Sequence, residues 1–421
     1  DRVKNRSRIA IIGMGGFAGW HHATIQRLEE RGLAKLICTC DPQADTFADE
    51  QQNWKIAERN VSIFSDYIEM LDACQQDLDL VVIPTPINLH AEMHREVVKR
   101  GIPVYLEKPP TLDYRELEEM ITCDQQAKKS TLVAFNFIVE KPRLAIKQRL
   151  LDGEFGAVKG ATLMAHWPRP SDYFKRAAWA GRLMMGDRVV LDSCFGNANA
   201  HFVHNMLFWL GDTQLSSWAQ IDTVRSELYR AHAIEGADTF FVEATTTRGA
   251  TMRFAITHAC AGETSHQETV NCEKADILYS VGGEAEIRWH DGRVEHIEVG
   301  QFDGVTENHL AFHRYIRGET ERPATSLIDA RPFVILNDLA HVSSGHIANF
   351  PAELLTKVRE EKEQKDYVNI AGMTGAIDRF LEQGEWPGPN GWRRQTGELV
   401  TPRALARFHE TVQTMAEDSL H

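Results

Sequence analysis

Long apolar runs are missing from this chain. None approaches the roughly 20 residues that cross a bilayer as a helix, so no membrane segment is expected. Positive charge is scarce as well, with 46 Lys and Arg against 60 Asp and Glu and a formal net charge of -14. Binding a phosphate backbone takes clustered Lys and Arg, so nucleic acid is not an expected partner and a small molecule is. The seven cysteines are an odd number without any Cys-x-x-Cys pair, and several fall inside apolar runs; they read as buried reduced thiols. Repeats and low-complexity tracts are absent, and the one charge block, 359–365, reads as a solvated face. The chain opens on Asp1 with no signal-like apolar segment. The cytoplasm is the expected compartment, an export signal already removed being the other reading.

What is present is an apolar strand that runs straight into a glycine-rich turn, Arg8-Ile-Ala-Ile-Ile-Gly13-Met14-Gly15-Gly16-Phe17-Ala18. Gly13 permits the tight turn, Gly15 lets the backbone approach a pyrophosphate, and the small Ala18 lets the next helix pack close with its N-terminus toward the phosphates. A helix over 20–32 and a strand over 33–40 follow, and that strand ends on Asp41, whose carboxylate can hold both ribose hydroxyls. Asp41 repels a 2′-phosphate and no Lys or Arg follows it immediately, so NAD is expected over NADP.

At 421 residues the chain has room for two cores. Residues 1–138 alternate short β-branched runs with helical segments, the pattern of a parallel sheet with crossover helices, a Rossmann dinucleotide-binding domain. Its ligand belongs at the carboxyl ends of the strands, which points to Thr85-Pro86, to Glu107-Lys108-Pro109 and to Asn136. Residues 139–421 change character. Runs at 158–166, 215–223, 238–247, 251–260, 284–290 and 294–299 read as a large, mostly antiparallel open sheet, so the second domain is α+β and carries a helical extension from about Glu307. The excursion from Pro168 to Gly211 is too long for an idle connection.

Several of these pieces resemble the Gfo/Idh/MocA oxidoreductases, named for glucose-fructose oxidoreductase and inositol dehydrogenase. They are the Gly13–Ala18 turn, Asp41-Pro42, Thr85-Pro86-Ile-Asn-Leu-His90, Glu107-Lys108-Pro109, Trp179-Ala-Gly-Arg182, and a helix with His201 that ends at Leu210-Gly211. The resemblance implies NAD(P)-dependent oxidation or reduction of a secondary alcohol or ketone on a sugar, sugar acid or cyclitol. It also implies a homodimer or homotetramer, and it adds Met14, Gly16, Phe17 and His90 to the cofactor residues. Such a reaction needs a group poised to take the hydroxyl proton, and Lys108 and His201 are the candidates. The family carries Asp four residues before its histidine, where this chain has Asn197, and often another Asp three after, where it has His204. Asp192 can supply the missing charge if its turn folds back. Tyr173, Trp179, Arg182 and Asn197 are the expected substrate contacts, joined by Trp167, Arg169 and Lys175 as polyol-binding candidates. The pairs His201/His204 and His309/His313 have helical spacing but no third ligand, so no metal is expected. Two other readings stand beside the dehydrogenase: a redox-assisted glycoside hydrolase that keeps NAD bound, and a sensor that has lost its chemistry.

Overall fold

A computed structural model gives the structure of the protein and describes residues 6–420. The chain divides into two compact units. The first takes the chain up to Thr111, Arg115–Val139 and Asp303–Ala330; the second takes Leu112–Tyr114, Glu140–Phe302 and the chain from Arg331 on.

The first unit is built on six strands, Ser7–Ile12 (β1), Ala34–Cys40 (β2), Ser62–Phe64 (β3), Leu80–Ile83 (β4), Val104–Leu106 (β5) and Leu132–Val133 (β6). They pair in parallel in the order β3-β2-β1-β4-β5-β6. Ile9 to Ile12, Leu80 to Ile83 and Val104 to Leu106 are all buried, because a parallel sheet is covered on both faces and tolerates no polar alternation. The helix Gly304–Ile316 comes from far downstream and covers part of one face. It adds Phe312 and Tyr315 to the core of Ile9, Ile11, Leu36, Leu80, Val82 and Tyr105. Burying one such aromatic ring contributes on the order of 2–3 kcal/mol.

The strands of the second unit are Val158–His166 (β7), Met184–Met185 (β8), Arg188–Val189 (β9), Ile221–Arg230 (β10), Thr239–Thr246 (β11), Thr251–Thr257 (β12), Ser265–Cys272 (β13), Ala275–Tyr279 (β14), Glu284–Trp289 (β15), Val294–Glu298 (β16), Ile347–Asn349 (β17), Leu355–Glu360 (β18) and Lys365–Ile370 (β19). Nine of them form one sheet in the order β16-β15-β14-β13-β7-β12-β11-β10-β17. Only β7 with β12 and β10 with β17 run parallel, so the sheet is mostly antiparallel, as expected.

Two expectations are corrected here. The run at 215–223 is not a strand; β10 begins at Ile221. A Cβ on Gly211 would stand 2.0 Å from the Ser217 carbonyl, so the chain doubles back tightly there, and the Ala219 amide donates to the Leu207 carbonyl. The apolar residues of 215–220 therefore fold under a helix instead of extending. The C-terminal part is not purely helical either. The block 359–365 sits in the β18–β19 hairpin, whose turn includes Gln364 at φ 55° and whose charges face solvent. Two polar faces hid the strand period. The hairpin and the helix Met373–Gln383 lay Val368, Ile370, Met373, Ile377 and Phe380 against Tyr229 and Phe241 of the large sheet.

Candidate active-site residues in the two units

In the first unit the glycine turn leaves β1 as the sequence requires. Gly13 takes φ 109° and Gly16 φ 55°, values an L side chain rarely adopts. The Gly13 amide donates to the Cys40 carbonyl at 2.7 Å, which ties the turn to the end of β2. A Cβ on Gly15 would meet the Phe47 ring at 3.1 Å, and one on Gly16 would meet nothing within 4 Å, so the turn is walled on one side and open on the other. His22 steadies it from beneath: its Nε2 lies 3.1 Å from the Gly13 carbonyl, and its ring stacks on Trp54 at 4.0 Å and 7°. Burial holds this imidazole near pKa 3, hence neutral.

The helix Ala18–Glu30 starts at Phe17 with no acidic residue in its first turn, so its positive end is uncompensated. Asp41 closes the constellation. Its Oδ2 accepts from the Met14 amide at 3.0 Å and its Oδ1 from the Gln43 amide at 2.9 Å. A carboxylate has about four acceptor positions, so each oxygen keeps room for a ribose hydroxyl. The glycine cradle, the helix end and the carboxylate fit a dinucleotide.

The other strand ends hold the remaining expected cofactor residues. Thr85 borders the turn, its Cγ2 standing 3.8 Å from where a Cβ of Gly13 would be; Pro86 beside it is exposed. His90 is buried, with Nδ1 3.0 Å from the Pro110 carbonyl and Nε2 2.8 Å from the Thr85 carbonyl. Burial lowers its pKa, so the ring is neutral and donates to one of these carbonyls while its other nitrogen faces the second, between the loop after β4 and the loop after β5. Glu107 is buried: Oε1 lies 2.7 Å from His21 Nε2, and Oε2 accepts from the Lys108 backbone amide at 3.2 Å. Lys108 follows half-buried, joined to Pro109 by a cis peptide bond. Asn136 accepts from Asn308 Nδ2 at 2.9 Å and so binds the end of β6 to the helix Gly304–Ile316.

In the second unit the turn before the helix Ala200–Trp209 does fold back. Asn197 Nδ2 donates to Asp192 Oδ1 at 2.7 Å, and the Gly181 amide donates to Asp192 Oδ2 at 2.8 Å. Leu191, at φ 50° without being glycine, aims the carboxylate. Sequence reasoning missed Arg176, which joins these residues. Its guanidinium pairs with Asp192 at 3.3 Å and lies 3.8 Å from the Tyr173 ring centre and 4.8 Å from that of Trp179. The run Tyr173-Phe-Lys-Arg176-Ala-Ala-Trp179 was the available signal, two aromatics three residues either side of a cation. Arg182 is exposed and faces Glu235 at 3.6 Å. Trp167 and Arg169 lie at the same cluster, Arg169 sitting 4.7 Å from the Tyr173 ring, and Lys175 is exposed.

His201 is half-buried on the first turn of its helix, whereas His204 is fully buried, with its pKa pushed well below the ordinary value by burial and by Lys147. His204 packs near Trp218, ring centres 5.3 Å apart, as a core histidine. Among the described residues no group of three His, Cys, Asp or Glu could hold a metal ion, and no helix is long and apolar enough to cross a membrane. A groove of about 610 Å³ lies between the nine-stranded sheet and the helix Met373–Gln383, lined by residues such as Lys159, Thr162, Arg253, Gln267, Asp378 and Glu382. It contains none of the expected site residues and mixes both signs of charge, so the strand-end residues carry the chemistry better.

Comparison with known proteins adds to this geometry. Residues 7–135 match the GFO_IDH_MocA family model, described as an oxidoreductase family with an NAD-binding Rossmann fold. The inositol 2-dehydrogenase of Rhizobium meliloti (strain 1021) is 28% identical over 174 residues, 40% of this chain and 49% of that protein. The scyllo-inositol 2-dehydrogenase (NAD(+)) of Bacillus subtilis (strain 168) is 27% identical over 184 residues, 42% of this chain and 49% of that protein. The chain spans about half the length of these curated relatives. Among solved structures, the WlbA dehydrogenase from Bordetella pertussis in complex with NADH and UDP-GlcNAcA is similar at a TM-score of 0.65 and 21% identity, over 80% of this chain and 96% of that one. At that identity the likeness is one of fold.

Proposed function

We propose that this chain, which belongs through its dinucleotide domain to the Gfo/Idh/MocA family of NAD-binding oxidoreductases, interconverts a secondary alcohol and a ketone on a sugar, sugar acid or cyclitol. The observation that carries the proposal is the joint presence, in one unit, of the Gly13–Gly16 cradle closed by Asp41 and of Glu107-Lys108 at the carboxyl end of β5.

NAD supplies the hydride acceptor and NADH the donor. The protein's own task is to bind, orient and move a proton. Gly13, Met14, Gly15, Gly16 and Phe17 give the phosphates a backbone surface at a helix end, and Asp41 gives the ribose its acceptor. Lys108 takes the hydroxyl proton as the alcohol becomes a ketone and returns it in reduction. Its half-buried place at the carboxyl end of β5 puts the amine where a strand-end ligand belongs. The second unit supplies substrate recognition. Tyr173 and Trp179 offer aromatic faces to the apolar side of a ring, Arg182 and Asn197 offer hydrogen bonds, and His201 is a second proton-handling group. Asp192 acts through Asn197 and Arg176, whose positions it fixes. Asp192 supplies the charge that the family's Asp would carry at position 197, with Asn197 donating to it ahead of the helix of His201.

A homodimer or homotetramer is part of the proposal and is read by sedimentation. A reducing compartment, the cytoplasm, is supported by seven free cysteines, six of them buried. The experiment is a scan of sugars, sugar acids and cyclitols with NAD and separately with NADP, following reduced nicotinamide. Net NADH from one substrate class supports the dehydrogenase. Glycoside cleavage without net NADH moves the reading to redox-assisted hydrolysis. Cofactor binding without either reaction leaves a sensor.

A further inference from the structure

Three histidines from two distant stretches of sequence meet inside the first unit. Beginning at Glu107 Oε1, the contacts run to His21 Nε2 at 2.7 Å, from His21 Nδ1 to His309 Nε2 at 2.9 Å, and from His309 Nδ1 to His313 Nε2 at 3.2 Å. Each imidazole touches the next through the nitrogen its neighbour leaves open. All four residues are buried, the three histidines to 2% exposure or less. Three histidines in a core are costly unless each ring nitrogen is used, and a line of nitrogens in register is more than packing requires. The helical spacing of His309 and His313 therefore serves a line of contacts with His21.

From this geometry we infer that Glu107, His21, His309 and His313 form a relay carrying protons between the turn that bears Lys108 and the far end of the array at His313. The inference rests on the dehydrogenase reading for its purpose, since oxidation of an alcohol leaves a proton to be removed and reduction consumes one.

With every ring neutral, the array has two self-consistent states. With Glu107 ionised, its Oε1 can only accept, so His21 is protonated at Nε2, leaving Nδ1 to accept from His309 Nε2–H, whose Nδ1 accepts from His313 Nε2–H. A proton arriving at His313 Nδ1 forms a new N–H bond there. The Nε2–H of His313 then passes to His309 Nδ1, that of His309 to His21 Nδ1, and that of His21 to Glu107 Oε1. One proton has entered, every ring has changed tautomer, and the carboxyl is neutral; the reverse sequence releases one proton at His313. Glu107 Oε2 meanwhile accepts the backbone amide of Lys108, so the carboxyl's charge changes one residue from the amine.

The surroundings are mostly apolar. Tyr105 stacks on His309 with ring centres 4.2 Å apart, and Phe17 meets the edge of His21. The charged or titratable groups nearby include His22 beside His21, His90 and Tyr105 at the Glu107 end with Asp303 near Tyr105, and Arg317 and Asp79 at the His313 end. Burial keeps His309 well below the ordinary imidazole value and His313 near 3, so both are neutral at rest and each carries a single N–H, as a relay requires.

The test has one readout that needs no turnover. In the whole protein with 15N-labelled histidine, long-range proton–nitrogen correlations at neutral pH should assign one common tautomer to His21, His309 and His313, Nε2–H where Glu107 is ionised and Nδ1–H where it is neutral. Mixed tautomers, or Nδ1–H on His309 alone, overturn the array. The second readout uses His309→Gln, which keeps size and hydrogen bonding but cannot pass a proton through itself. It should lower kcat about tenfold or more with KM and NAD affinity nearly unchanged, and indicator-dye proton release should lag NADH appearance. An unchanged kcat with simultaneous proton release overturns the relay while leaving the dehydrogenase standing. If the wild type makes no NADH from any substrate, the functional reading fails, and the tautomer spectrum still decides the array. Should His309→Gln not fold, the wild-type spectrum decides alone.

Discussion

Replacing Asp41 by Ala tests the cofactor site where the structure is most specific about it. The carboxylate holds the amides of Met14 and Gln43 on separate oxygens and keeps acceptor positions for two ribose hydroxyls. Hydrogen bonds to a charged group contribute about 1.5–3 kcal/mol each. Asp41 is only half-buried, so the lower value applies, and two lost ribose bonds amount to about 3 kcal/mol, or roughly 100-fold in Kd for NAD. NADP should change far less, because the repulsion of its 2′-phosphate disappears with the carboxylate, and the preference for NAD should shrink toward parity. Folding stability should fall by about 1–2 kcal/mol, since the buried Met14 loses its amide acceptor. Calorimetric titration with both nucleotides reads the first effect and urea unfolding the second. Asp41→Asn separates them further, because one amide oxygen can replace only one of the two carboxylate acceptors. If stability falls while affinity for NAD moves less than about threefold, Asp41 is a turn residue only and the assignment of the ribose site is refuted.

The buried histidines should make the protein lose stability as pH falls. His22, His258 and His313 sit near pKa 3 and His341 near 4 in the folded state, all through burial, against about 6.5 unfolded. Below that unfolded value the unfolded chain binds protons that the folded one refuses, so stability drops as pH falls, by up to about 1.4 kcal/mol per pH unit for each histidine. Urea midpoints at about pH 7 and about pH 5 should differ clearly, and equal midpoints would contradict the neutral, buried state of these rings. Asn197→Asp places a second carboxyl where Asn197 now donates to Asp192 at 2.7 Å. The two acids must then share a proton, which raises one pKa, so the variant should lose thermal stability relative to wild type as pH rises. A melting temperature that tracks wild type at every pH would show that the contact is absent in solution.

How legible each part was follows from the length scale of its cause. The Gly13–Gly16 turn and Asp41 stood out because a phosphate-binding backbone needs glycine at fixed offsets and a carboxylate at the next strand end, all within about thirty residues. Glu107-Lys108 was visible as the residues that directly follow a buried apolar strand. The pairing of Asn197 with Asp192 could be anticipated only as a condition, since it depends on how sharply the turn closes around Leu191. Arg176 was hidden because a cation in a polar excursion usually faces water, and only the folded excursion puts Tyr173, Trp179 and Asp192 around it. The meeting of His21 with His309 spans 288 positions and had no local signal at all. The helix that carries His309 reads as amphipathic, but nothing in its period says which sheet its apolar face will cover.

The most direct test of the central claim compares wild type with Lys108→Ala, both loaded with NAD, during exposure to the secondary alcohols that the scan selects. The account predicts net NADH from the wild type, and from Lys108→Ala NAD that still binds but NADH formation slower by about 100-fold or more. Equal NADH formation by both proteins would remove Lys108 from the chemistry. Tightly bound NAD with no net reduction in the wild type would contradict the dehydrogenase itself.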